Sequence, residues 1–297
     1  MNRVRVTVDD LRKAFESEVG RRWTAGQWVR WLGASSVHQG QTFRNVVLVR
    51  LQMPDAVWVD TKESWLRRGR SVVRGQSGIR VVTGERRTER VAGSVQGHGV
   101  GTLWDVSQTE GRPVLLPSVD AGSGVTPRSL LAALLGVAGE LGYGVREQDL
   151  APEVGGSATD TRRRRIVLDA DLDLPSTTAA LAHELAHLRM HKLSAGEVCQ
   201  GLNELEAESV AFTVLTRFGC PMDGSSSGRL FGAAARVGRS PSPRLVQTLG
   251  GRVASTAGRL IKAAEQHLPR SGSRREVQVW EYRTSLGVNL DDPGPRM

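Results

Sequence analysis

Leu11, Phe15 and Val19 recur at helical spacing, so the pattern predicts an amphipathic helix over Val8 to Val19. Phe43 to Met53 (FRNVVLVRLQM) is apolar at too many positions to show one face, and reads as a buried helix or strand. Leu66 to Val82 is a basic, glycine-punctuated turn running into a β-branched strand. Gly101 to Thr109 is a second strand, and the polar stretch Arg86 to His98 reads as their hairpin connection. Pro117 to Thr126 has turn chemistry. Pro127 then opens a helix that carries Leu130, Leu131, Leu134, Leu135 and Val137 and stops at Gly142-Tyr143-Gly144. Ile166-Val167-Leu168 predicts a strand, and Pro175 to Thr178 offers caps for a helix through Leu181 to His191. A further helix covers Asn203 to Phe212. Beyond Gly224, weak helical patterns such as Leu245 to Gln266 alternate with loops rich in Gly, Ser and Arg.

These elements and the length of 297 residues predict an α+β protein of two domains, 1–117 and 127–267. A linker at 118–126 joins them, and a loosely ordered tail at 268–297 contains one possible strand, Val277 to Tyr282. No apolar run is long enough to span a bilayer and no secretory leader is visible, which predicts a cytoplasmic protein without a membrane partner. Two cysteines, Cys199 and Cys220, make no disulfide framework; Cys199, between the helices predicted at Leu181 to His191 and Asn203 to Phe212, could in principle bind a metal, but an ordinary thiol is the commoner case.

Charge separates the two halves. Residues 1–117 hold 19 Lys and Arg against 11 Asp and Glu, a net of +8, whereas residues 118–297 hold 21 against 20. A nucleic-acid-binding module joined to a neutral enzyme has this asymmetry. Arg67, Arg68, Arg70 and Arg74 sit in or beside the glycine-containing turn, where they could neutralise phosphates. Trp58 and Trp65 could stack on unpaired bases, although core packing is the commoner fate of a tryptophan. A sequence pI near 10.6 excludes a mimic of DNA phosphates, which must be acidic.

The chemistry concentrates in LAHELAHLRMH, Leu181 to His191. His183 and His187 lie one turn apart on a helix and project from one face, an arrangement that fills two corners of a zinc tetrahedron. Glu184 is placed to hold and deprotonate a metal-bound water. A third ligand must come from elsewhere. Glu204, Glu206 and Glu208 follow on the next helix, Glu204 and Glu208 on one face and Glu206 roughly 200° away from Glu204. One of them can bind metal while another orients a histidine. His191 would drift off a metal shared with His183 and His187, so it reads as structural or as an outer hydrogen-bond partner.

Glu204 to Glu208 resembles the Glu-x-x-Ala-Asp motif of gluzincin metallopeptidases, which implies Glu204 as third Zn²⁺ ligand with Glu208 behind it. The order Asn45-Val46-Val47-Leu48, Trp65, Gly69, Arg74-Gly75-x-x-Gly78-Ile79 and Asp105-Val106-Ser107-Gln108-Thr109 resembles the single-stranded-DNA-binding domain of ArdC-type antirestriction proteins. The second half resembles ImmA/IrrE-type metallopeptidases. The resemblance implies a zinc metallopeptidase that binds single-stranded DNA, acts on a protein substrate and serves antirestriction or another mobile-element task. Two alternatives stay open: an ImmA-type regulatory peptidase that cleaves a repressor, and a DNA-binding protector whose zinc is structural.

Overall fold

Thr24, Thr42 and Thr61 are extended residues whose side chains each accept a backbone N–H three positions on, so each caps and starts a helix. The structure, a computed structural model, describes residues 6–21, 24–84, 98–114, 125–151, 156–191, 201–220, 224–236 and 241–268. Trp23, Cys199, the strand expected at Val277 to Tyr282 and most of the stretches 86–98 and 117–126 lie outside these residues.

The N-terminal helices are α1 (Val8–Arg21), α2 (Ala25–Val37) and α3 (Phe43–Gln52). Phe43 to Met53 is thus a helix, and its mixed pattern has a physical cause. Val46, Val47, Leu48 and Val49 are all buried, because α3 packs on two sides. Phe43, Val47 and Leu48 join the main core, while Val49 joins a smaller cluster with Val59, Ile79, Val81 and Leu103.

That cluster lies under a small antiparallel sheet of β1 (Val59–Asp60), β3 (Ile79–Thr83) and β4 (Gly99–Asp105), in the order β1-β4-β3. The short helix α4 (Lys62–Arg67) follows β1. Strands β2 (Arg70–Val72) and β5 (Thr109–Gly111) pair separately. Asp105 ties this region together. It is fully buried and accepts hydrogen bonds from Val57 N, Trp58 N and Ser107 N.

The second half begins with α5 (Pro127–Glu140), opened by a Thr126–Ser129 capping box with Pro127 in the first turn. A three-stranded sheet follows: β6 (Gly144–Gln148), β7 (Ser157–Asp160) and β8 (Arg165–Asp169), in the order β6-β8-β7, with β7 antiparallel. Arg162 to Arg164 form the turn of the β7–β8 hairpin, with Asp160 accepting from the N–H groups of Arg162 and Arg163. Helices α6 (Leu174–Met190), α7 (Leu202–Arg217), α8 (Gly224–Arg236) and α9 (Pro243–His267) follow among the described residues. The α6 cap is Asp173, which accepts from Ser176 N, rather than a residue of Pro175 to Thr178; Pro175 lies inside the first turn. Helix α9 is longer and more continuous than its sequence suggests, with Val246, Leu249, Val253, Leu260 and Ile261 buried along one face.

Mixed helix and sheet matches the α+β expectation. The expected division at 118–126 is not a division of the core. Leu11, Phe15, Trp28, Trp31 and Phe43 share one buried cluster with residues of α5, α6, α7 and α9. Trp28 Nε1 donates to Ser209 Oγ at 2.8 Å, joining α2 to α7 inside that cluster. No described helix is long and apolar enough to cross a membrane.

Candidate metal centre

Helix α6 is buried on most of its circumference, from Thr177 to His187, so its two motif histidines are fixed by packing as well as by helix geometry. His183 Nε2 and His187 Nε2 face each other at 2.9 Å. Glu204 arrives from the first turn of α7 and straddles the pair, with Oε2 at 3.6 Å from His183 Nε2 and Oε1 at 3.3 Å from His187 Nε2. Ligand bonds of 2.0–2.1 Å in a tetrahedron put neighbouring donor atoms about 3.3 Å apart. The three separations bracket that value, so His183, His187 and Glu204 fit one divalent cation. They are the group of described residues placed to share a metal ion. Glu204 is the most exposed of the three, which leaves an approach from its side.

Glu184 points to the sheet. Its Oε1 accepts from Ser157 Oγ at 2.8 Å and its Oε2 from Thr159 Oγ1 at 2.6 Å. Residues 157 and 159 are two apart on β7 and share one face, so the strand presents both hydroxyls to one carboxylate. The sequence reading missed this pair. A Ser-x-Thr on a short strand is the only local sign of it.

Further carboxylates stand behind the histidines. Glu208 Oε1 lies 3.4 Å from His183 Nδ1 and accepts from Arg229 Nε of α8 at 2.8 Å. Burial by itself would lower the pKa of His183, but the adjoining Glu208, Glu184 and Glu204 outweigh it and raise the value. Burial would likewise raise Glu208, and its contacts with His183 and Arg229 outweigh this and lower it. On the other histidine, His187 Nδ1 meets His191 Nδ1 at 2.8 Å, and His191 Nε2 meets Glu206 Oε2 at 2.9 Å. Arg252 Nε of α9 reaches Glu206 Oε1 at 2.9 Å. Glu206 is therefore turned away from the candidate triad, as the helix phase predicted. Arg229 and Arg252 have no sequence signal, because nothing local marks an arginine 21 or 46 positions downstream as a partner.

Residues 138–216 match the IrrE N-terminal-like domain of peptidase family M78. That segment runs from the end of α5 to the end of α7 and contains the candidate triad His183, His187 and Glu204, with Glu184, His191, Glu206 and Glu208. Among solved structures, the chain is similar to the Mn(II)-bound antirestriction protein ArdC of plasmid R388. The TM-score is 0.53 at 16% identity, covering 89% of this chain and 98% of that one. The chain has an ArdC-like fold. The metal-free form of the same protein aligns with a TM-score of 0.44 at 18% identity, over 76% of this chain and 86% of that one. No curated protein matches the sequence.

The residues expected to meet DNA divide into two groups. Arg67, Arg68 and Arg74 are exposed and Trp58 is half-buried. The Arg68 guanidinium lies 4.9 Å from the centre of the Trp58 ring and 3.2 Å from Asp60. Trp65 and Arg70 are internal. Trp65 is fully buried and donates from Nε1 to Trp104 O at 2.8 Å. Arg70 is buried, donating to Thr109 Oγ1, Thr109 O and Arg112 O at 2.6–2.8 Å, and these bonds fasten β2 to β5. Neither offers a free face to a base or a phosphate.

Proposed function

We propose that this chain is a DNA-associated zinc metallopeptidase acting inside the cell in antirestriction or another mobile-element task. The observation that carries the reading is the convergence of His183, His187 and Glu204, with Glu184 beside them on the same helix. A divalent cation in that site supplies Lewis acidity towards a carbonyl oxygen and acidifies water. Glu184 takes the proton of the attacking water and passes it to the leaving amine as the peptide C–N bond breaks. Ser157 and Thr159 hold its carboxylate against the sheet until then. A substrate segment laid along the outer side of β7 would present its carbonyl near Glu184, because β7 carries both anchoring hydroxyls.

Single-stranded DNA is the proposed nucleic-acid partner. The surplus of positive charge before residue 117 and the exposed set Arg67, Arg68, Arg74 and Trp58 support it. The match of residues 138–216 to an IrrE-like domain favours one second reading, a regulatory peptidase that cleaves a repressor. Zinc-loaded full-length protein, incubated with DNA-bound proteins and with candidate repressors in the presence and absence of single-stranded DNA, separates the two. Cleavage by the wild type and none by a Glu184→Gln variant that still holds zinc is expected. Undiminished cleavage by that variant would overturn the assignment of Glu184.

A further inference from the structure

The β1-β4-β3 sheet has one face on the core and one that is partly open. Val59, Ile79, Val81 and Leu103 point into the small cluster beneath it, and Asp105 is fully buried. Side chains alternate along a strand, so Trp58, Asp60, Arg80, Thr102 and Trp104 stand on the opposite face. Arg80 is exposed there and the other four are half-buried. Trp104 occupies the middle of that face. It lies opposite Asp60 of β1, and Gly78, the residue before β3, flanks it on the other side. A Cβ built on Gly78 would stand 2.2 Å from Thr102 Cγ2 and 3.0 Å from Trp104 Cε2. Cross-strand Cβ atoms are normally about 4.5–5.5 Å apart, so the Trp104 ring leans over the Gly78 backbone rather than standing clear of the sheet. The fully buried Trp28 and Trp65 donate their indole N–H groups, to Ser209 Oγ and to Trp104 O. Trp104 Nε1 has no such partner among the described residues, so no hydrogen bond of its indole accounts for its place.

Cations flank this ring on both sides. Towards β1, the Arg68 guanidinium sits 4.9 Å from the centre of the Trp58 ring and 3.2 Å from Asp60, whose charge it offsets. Towards β3, Arg80 donates from Nη1 to Thr102 Oγ1 at 2.6 Å. A guanidinium carries five N–H donors, so both keep some for another acceptor. An indole between two anchored guanidiniums matches a stretch of single strand, whose unpaired base has a π-face to stack and whose phosphates lie on either side of it. Bases in a duplex are stacked on one another and offer no such face. We propose that single-stranded DNA crosses the open face of the β1-β4-β3 sheet, with one base stacked on Trp104 and the neighbouring phosphates held by Arg68 and Arg80. The proposal rests on the reading of single-stranded DNA as a partner, and it moves the centre of the contact from the basic turn to the sheet. Trp58 serves to hold Arg68, since its ring already carries that guanidinium.

Fluorescence anisotropy of a labelled oligothymidine, titrated with the full chain, tests the placement. Trp104→Leu keeps an apolar side chain beside Val57, Trp65 and Val106 but removes the π-face. Its dissociation constant should rise about 5- to 150-fold, the range for one lost stacked base, and Trp104→Phe should recover part of that loss. Arg80 is exposed, so Arg80→Ala leaves the packing alone; it should flatten the slope of log affinity against log salt by about 0.7. Thermal melts identify a variant that has lost its fold, and if Trp104→Leu is one, Arg80→Ala decides. Wild-type affinity in a folded Trp104→Leu, or a wild-type salt slope in Arg80→Ala, would overturn the placement while leaving single-stranded DNA as a partner. A wild type that binds oligothymidine no better than duplex would overturn the single-strand reading itself, and the placement with it.

Discussion

Phe43 lies against the backbone of Gly250: a Cβ built on Gly250 would stand 2.3 Å from Cδ1 and Cγ of the ring. The ring cannot retreat easily, since Phe15, Trp28 and Trp31 pack around it with centroids 5.6–6.4 Å away. The contact joins α3 to α9 across the stretch where the sequence suggested a domain boundary.

The first prediction uses the neighbouring glycine as a control. Gly250→Ala gains about 1 kcal/mol of helix propensity but overpacks a fixed aromatic cluster, at a cost of about 1–3 kcal/mol. A 2.3 Å approach lies at the severe end, so the net effect should be destabilising. Gly251 has nothing within 4 Å of its added Cβ, so Gly251→Ala should stabilise by up to about 1 kcal/mol. Urea unfolding read by tryptophan fluorescence checks both. Because Trp28 and Trp31 share the core of α9, the loss should appear in one transition. A separate transition for the N-terminal half, unaffected by Gly250→Ala, would mean that the halves fold independently.

The second prediction concerns metal. His183→Ala and His187→Ala should each lose most bound zinc, and Glu204→Ala should lose more than Glu208→Ala. The pH dependence has a definite sign. The pKa of His183 is raised, so its proton begins to compete with metal at a higher pH than an ordinary histidine proton would. Zinc affinity should fall as pH drops through that raised value. Glu208→Gln removes the leading cause of the rise and should move the midpoint of the fall to lower pH, which metal titrations at several pH values would read. A midpoint unmoved by Glu208→Gln would mean that Glu208 does not hold that proton.

Much of this centre was legible in advance, for a local reason. The HExxH spacing is set by one helical turn, and the opposed faces of Glu204 and Glu206 follow from 3.6 residues per turn. Pairings that close over long separations were not legible. Trp28 and Ser209 are 181 positions apart, and Arg252 is identified only by where α9 lies. Helix α3 was ambiguous because burial on both sides erased its period. Strand β7 was missed because Ser157 to Asp160 are all half-buried and carry little apolar alternation. The sequence's charge asymmetry is real, but the core takes no notice of it.

The third prediction concerns acid stability. His38 closes α2 and is 4% exposed, and burial lowers its pKa from 6.5 to about 4, with Arg50 adding to the fall and Asp105 opposing it. The unfolded chain therefore binds the proton more readily, so the neutral folded form loses stability as pH falls below 6.5 and continues to lose it down to about 4. By pH 5 the loss is about 2 kcal/mol. His38→Gln should remove that increment, giving a shallower fall in unfolding free energy between pH 7 and pH 5 than the wild type shows. Equal slopes would indicate that His38 is already protonated in the folded protein.

The last prediction separates the exposed arginines from the internal one. Each phosphate contact to a single strand contributes about 0.7 to the slope of log affinity against log salt. Arg67→Ala with Arg74→Ala should therefore flatten the slope for single-stranded DNA by up to about 1.4, weakening all sequences alike. Trp58→Ala should cost about 1–3 kcal/mol of binding if a base stacks there, and it also releases Arg68 from its ring. Arg70→Ala should behave differently. It breaks three hydrogen bonds between β2 and the β5 segment, two buried and one part-buried, each worth about 1.5–3 kcal/mol when one partner is charged, so thermal stability should drop sharply. Measured well below its melting temperature, Arg70→Ala should keep the wild-type salt slope. The full chain is the right material for these measurements, because residues 1–117 alone would expose Phe15, Trp28, Trp31 and Phe43. A slope changed by Arg70→Ala and untouched by the Arg67 and Arg74 pair would place the nucleic-acid face elsewhere on the molecule.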